Sequence, residues 1–297
     1  MNILKANYLL VFTTLFSIVS ITSFSQIPDL AKALYRLSPE DSVGITHLVN
    51  NGVQVKKGKT IAWFPKDSLS NKQMNELLDT INLGIAAAEK VIGAPLPWQY
   101  YSKNEPFTYF FRLDSFISHT NGNFINIRFQ LVRQGTAPWL HQAMYTMLEA
   151  KADDSIPLTA WKQNTPKWLE HGLAQYITRE AYQQLGWTYF DLSRKTINNM
   201  DSACKEDLKD EAGKYALSDI GKKGHLANIA ARENRKYVFA YYHCSCSFTK
   251  YLVEQKGLPA VLNSFSASPY VQQAFEKSTS SSLDILKTSW LNKLQSQ

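Results

Sequence analysis

From Ser70 to Gly93 the apolar residues Met74, Leu77, Leu78, Ile81, Ile85, Ala88 and Val91 recur at steps of three and four. That spacing is the signature of one apolar face on a helix of about six turns. Ser70 is the expected N-cap and Gly93 the expected stop, with Pro95 and Pro97 just beyond. Such a face has to be covered, and the flanking sequence supplies the cover. KTIAWFP before the helix, and FTYFFRL and FINIRF after it, read as strands from their aromatic and β-branched content. FINIRF also alternates apolar and polar residues. SHTNGN, between the last two, reads as a turn built on Asn121-Gly122 with His119 an exposed loop residue. Strand, long helix, strand, strand predicts an α+β fold, a small mixed sheet with the long helix packed on one face. This N-terminal part spans 26–137 and opens with a short helix, PDLAKALYRL, and a mixed loop.

After Pro138 the chain turns helical, and 138–297 reads as a mostly α-helical half. The interval from about Arg179 to Lys236 is charged and irregular, and predicts surface helices and loops with a solvated charged face. Lys236–Glu254 is a strongly apolar helix ended by Gly257 and Pro259. PYVQQAFEKS and the Ser281/Ser282-capped LDILKTSWLNKL supply the closing helices.

Residues 1–25 stand apart. Lys5 gives a basic start, Tyr8–Ile21 is almost wholly apolar or small, and Ser23-Phe24-Ser25 offers a small-residue exit. That is the pattern of a secretory signal peptide; the apolar run falls short of the ~20 residues a membrane span needs. The expected destination is periplasmic or extracellular. A net charge of +7, one of it from Lys5, is spread thinly, with no basic run interleaved with aromatics, which excludes nucleic acid as an expected partner. With 44% hydrophobic residues the chain is rich enough to fold on its own. Three cysteines, Cys204, Cys244 and Cys246, exclude complete pairing. Cys204 can bridge either of the others, or all three can be buried thiols, and no disulfide framework is expected to hold the fold. There is no nucleophile-elbow, phosphate-loop or dinucleotide-binding pattern.

The stretch from Trp139 to Tyr176 carries the chemistry. It reads WLHQAMYTMLEA, a polar connection, then TPKWLEHGLAQYI, with one histidine near the start of each helix, His141 and His171. FINIRF running into LHQAMYTML resembles the edge strand and first active-site helix of the peptidase MA-like (gluzincin) zinc metallopeptidases. PKWLEHGLAQY resembles that family's Pro-x-Trp-Leu-x-Glu-Gly-Leu-Ala-x-Tyr helix. YYHCSCSFTKYLVEQKG and VQQAFEKSTSSSLDILKTSWLNKL resemble the helices that follow, in the same order.

The resemblance implies a zinc site and shows where it is altered. Gluzincins present H-E-x-x-H on the first helix, two zinc histidines and a glutamate base, and a glutamate ligand on the second. Here His141 matches the first zinc ligand. Gln142 stands at the catalytic base, where an amide cannot take a proton near neutral pH. Tyr145 stands at the second histidine. His171 stands at the glutamate ligand, and Glu170, one residue early, points about 100° away. Glu149, two turns beyond His141, is a distant candidate third ligand. Tyr242 matches a family tyrosine that can face the site and donate to an oxyanion. His243-Cys244-Ser245-Cys246 diverges too far around one helix for a metal and reads as a buried helix contact.

The sequence therefore predicts an exported pseudoenzyme, with no cofactor or weakly bound zinc, whose former cleft binds a peptide or a cell-envelope partner. The alternatives are a zinc-dependent hydrolase with a variant ligand set, His141 and His171, and a structural or assembly component of the envelope.

Overall fold

The computed structural model describes residues 39–93, 107–114, 119–121, 124–133, 138–150, 166–188, 199–221, 235–266 and 271–296. The expected signal segment, the expected helix at PDLAKALYRL and the connection between the two histidine helices lie outside these residues. The fold is α+β. Helix α1 (Pro39–Asn51) leads into a hairpin of β1 (Val53–Lys57) and β2 (Thr60–Phe64). Helix α2 (Asn71–Ile92) crosses to β3 (Phe107–Arg112), and a second hairpin follows, β4 (His119–Asn121) and β5 (Phe124–Arg128). The rest is helical: α3 (Phe129–Arg133), α4 (Pro138–Ala150), α5 (Lys167–Gln184), α6 (Met200–Asp207), α7 (Glu211–Asp219), α8 (Arg235–Lys256), α9 (Leu258–Ser266), α10 (Val271–Thr279) and α11 (Leu283–Ser296).

The five strands are ordered β1-β2-β3-β5-β4. β2, β3 and β5 are parallel, and each outer strand runs antiparallel to its neighbour. β3 lies in the middle with all six residues buried, so its aromatic run needs no polar alternation. Phe64 stacks on Phe111 at 4.8 Å, and Phe129 meets Phe111 edge-on at 6.1 Å. Arg112 ends β3 at 3% exposure and is made tolerable by two carboxylates, Asp41 of α1 at 2.6 Å and Asp114 at 2.7 Å.

Helix α2 keeps the predicted limits. Ser70 and Gln73 form a reciprocal capping box, and Gly93 closes the helix at φ 75°. Other expectations change. The mixed loop before Asn51 is largely α1, and β1 precedes the first predicted strand. FINIRF is not the sheet edge: β5 is flanked on both sides, and the edge is His119–Asn121, which pairs antiparallel to it. His119 is therefore a strand residue, not a loop one. Phe129 has already left the strand for α3.

The interval expected to be surface elaboration also does more. Helix α6 lies along α8 in antiparallel register, joined at three levels. Asp201 accepts from Ser247 at 2.7 Å and Lys250 at 2.6 Å, Cys204 is bonded to Cys244, and Asp207 meets His243 Nδ1 at 2.6 Å. So a disulfide does hold part of this fold, and the pairing is Cys204–Cys244, with Cys246 a buried thiol. Burial pushes the Cys246 thiol up to about 12, so it carries no thiolate to attack the neighbouring bridge. Trp290 of α11 donates to Ser247 at 3.0 Å and packs on Phe248, which stacks on Trp168. One continuous core joins α2, the sheet, α4, α5, α8 and α11. Helix α5 runs through its middle, packed by α2, α4 and α8. Among the described residues no helix is long and apolar enough to cross a membrane.

Candidate functional site

The site forms where the starts of α4 and α5 meet the first half of α8. On α4, Trp139, Leu140, Ala143, Met144 and Leu148 are buried, and Trp139 fits over Gly84 of α2, where a Cβ would come within 2.7 Å of the indole. That anchoring leaves His141, Gln142 and Tyr145 half-buried on the flank of α4. On α5, Trp168, Leu169, Leu173 and Ala174 are buried, and His171 is left half-buried toward α4 and α8.

The two histidines expected to share a site do meet, through a residue that sequence reasoning set aside. His141 Nε2 lies 3.1 Å from the Tyr145 hydroxyl, and the same hydroxyl contacts His171 Nδ1. The rings are nearly perpendicular, 84° for His141–Tyr145 and 87° for Tyr145–His171, so each imidazole offers a nitrogen rather than a face. Tyr242 packs edge-on to His171 at 4.7 Å, and Tyr241 does so at 6.0 Å. Glu170 turns away into the interior at 1% exposure and pairs with Lys167. Glu149 lies in the last turn of α4, its side chain outside the described residues. His243 is occupied by Asp207 and Cys244 by its disulfide, remote from metal chemistry.

A phenol has one hydrogen, so it donates to one imidazole and accepts from the other. Burial lowers the pKa of His141 to about 4, partly offset by the backbone of Ala174, and the ring is neutral at physiological pH. Part of His141 is exposed, but its Nδ1 is sealed from solvent with no hydrogen-bond partner at bonding distance, and the nitrogens are where a charge would sit. Either direction satisfies the single phenol hydrogen, from His141 through Tyr145 to His171 or the reverse. Tyr241 is held neutral, its pKa raised well above 10.0 chiefly by burial and secondarily by Tyr237.

A hydrolytic zinc centre does not fit these residues. Among the described residues no group of three His, Cys, Asp or Glu side chains could hold a metal ion. Gln142, beside His141, is an amide and cannot serve as a general base near neutral pH. What the arrangement provides is a neutral, directional hydrogen-bond chain with an aromatic rim.

The helical turn separating residues 141 and 145 could have revealed the Tyr145 contact, since side chains four apart on a helix are neighbours. No protein-family model matches the chain, and no curated protein is found to be similar to it.

The buried imidazole carries a pH prediction. The unfolded chain protonates at the ordinary value of 6.5, the folded one only near 4. Stability tied to His141 is complete above 6.5 and drains as pH falls toward 4, by at most about 3 kcal/mol. Unfolding free energies in urea between pH 7.5 and pH 4.5 are expected to fall less steeply for His141→Gln than for the native chain; equal slopes would refute the assignment.

Proposed function

We propose that this chain is an exported, peptidase MA-like protein without hydrolytic activity that binds an extended peptide or envelope segment in the former active-site cleft. One observation carries the reading: the Tyr145 hydroxyl bridges His141 and His171, where the resemblance calls for a metal and its water. Gln142 beside them leaves peptide hydrolysis without a base. The order of the resembling segments supports the family assignment, because α4, α5 and α8 bring their matching positions to one place.

Two features favour a peptide. β4 is the end strand of the sheet in the described residues and lies beside α4, so its outward backbone groups can pair with an added strand. His171 and Tyr242 form a half-exposed aromatic rim on which side chains can rest. Export is supported by the apolar leader and by the Cys204–Cys244 bridge, a bond that persists in oxidising compartments.

A fluorescent pool of random extended peptides, with zinc present, tests both parts. Expected are saturable binding weakened about tenfold or more by Tyr242→Ala, a rim residue in the sense of interface anchors, and no cleavage. Zinc-dependent cleavage lost in His141→Ala would establish the hydrolase instead. No binding up to millimolar peptide would remove the peptide role.

A further inference from the structure

We infer that Tyr145 is a built-in substitute for a metal ion: its hydroxyl stands at the point a divalent cation would take if residue 145 were histidine, and this one side chain closes the site to zinc. His141 and residue 145 are one turn apart on α4, and His171 approaches from α5. Three side chains thus converge on a single point, and that point is an oxygen atom covalently fixed to one of them. A phenol oxygen reaches further from the backbone than an imidazole nitrogen at the same position, by about one zinc–nitrogen bond, roughly 2 Å. A histidine at 145 would stop short of the hydroxyl's place by that bond length and leave a space the size of a cation.

The two existing imidazoles already aim at that space. His141 Nε2 is 3.1 Å from the hydroxyl, a hydrogen-bond separation. Coordination at about 2 Å needs an approach of about 1 Å, which small χ rotations supply without moving α4. In the native chain a hydrogen bond from or to the phenol takes the place of each coordinate bond, and no net charge has to be buried.

The test is a zinc titration of the native chain, Tyr145→His and Tyr145→His/His171→Ala, with circular dichroism to show that each is folded. Expected is one zinc per chain in Tyr145→His, bound at least about 100-fold more tightly than by the native chain, a gain consistent with adding an imidazole ligand. The gain should disappear in the double variant. A folded Tyr145→His no better than native overturns the inference, and so does a gain that survives loss of His171. Should Tyr145→His fail to fold, the native chain decides alone on titration with copper(II). A phenolate-to-copper absorption band, lost in Tyr145→Phe, would make the hydroxyl a ligand rather than a substitute and overturn the inference. Absence of the band supports it.

The inference shares its residues with the proposed peptide-binding role, and the two fail separately. Tight zinc binding by the native chain without peptide cleavage overturns only the inference. Zinc-dependent cleavage by the native chain overturns both. A Tyr145→His chain that binds peptide but no zinc leaves the binding role standing.

Discussion

Replacing both Cys204 and Cys244 with alanine is expected to lower the unfolding free energy by about 3–4 kcal/mol, read as a lower midpoint in urea. The bridge closes a loop of 40 residues in sequence separation. Opening a loop of that length restores conformational entropy to the unfolded chain worth about 4 kcal/mol in the chain-entropy account. The contacts flanking the bridge cannot make up the difference. Lys250 is a third exposed and Asp207 about a quarter, so their pairs are screened and contribute about 1 kcal/mol or less each. Both sulfurs are buried, and alanine leaves a small void on top of the entropic loss. Helix α6 has only eight residues and is too short to persist without α8. Reductant acting on the native chain should reproduce the variant, while Cys246→Ala, which breaks no bridge, should stay well above it. A loss below about 1 kcal/mol would mean that the unfolded chain was never constrained by the bridge. The site should suffer less than the stability does, because α8 presents Tyr241 and Tyr242 to His171 through its contact with α5, not α6.

How much of this was readable beforehand depends on whether a residue's role is local. Ser70, Gln73 and Gly93 act within a few residues of themselves, and the limits of α2 could be read directly. The run FTYFFR carries its own burial, and β3 followed from it. β1 is different: VQVKK is half-buried at best, and its two lysines make it look like loop while serving as a charged sheet edge. Helix α1 hides for another reason. Gly44, Thr46 and the closing asparagines are weak helix formers, and Gly44 is there because the Arg112 guanidinium fills the place of its side chain, a Cβ falling 2.0 Å from Nη2. β4 is three residues long and sits where the Asn-Gly turn signal masks it. At the site, helix position was enough to bring His141 and His171 toward each other. The bridging role of Tyr145 was hidden because the comparison with a zinc motif treated it as a loss. The cysteine pairing was open because Cys244 and Cys246 differ only in which side of α8 faces α6, a rotation the local sequence does not encode.

Gly172→Ala is expected to be a strongly damaging conservative change, and it would reach the site as well as the fold. An alanine Cβ there would lie 2.0 Å from Thr249 Oγ1 and 2.5 Å from the Ser245 carbonyl oxygen, both on α8. The exchange gains about 1 kcal/mol of helix propensity, and in a surface helix that would decide the outcome. Here it is outweighed. A side-chain hydroxyl can rotate, but the carbonyl belongs to the α8 backbone and can yield only if the two helices part. Over-packing of this kind costs about 1–3 kcal/mol in ordinary cores and more where backbone opposes backbone, so a net loss of about 3 kcal/mol is expected. Thr249→Ala in the same chain removes the first clash and keeps the second, and should restore less than half of the loss. The parting of α5 from α8 also carries His171 away from Tyr242, its neighbour at 4.7 Å, and strains its contact with the Tyr145 hydroxyl. The proposed peptide binding should therefore weaken in the double variant even under conditions where it is fully folded. Full rescue of stability by Thr249→Ala would place the whole conflict on one hydroxyl. It would also detach the site from the packing of these two helices, because the glycine next to His171 would then have no backbone-level reason to be there.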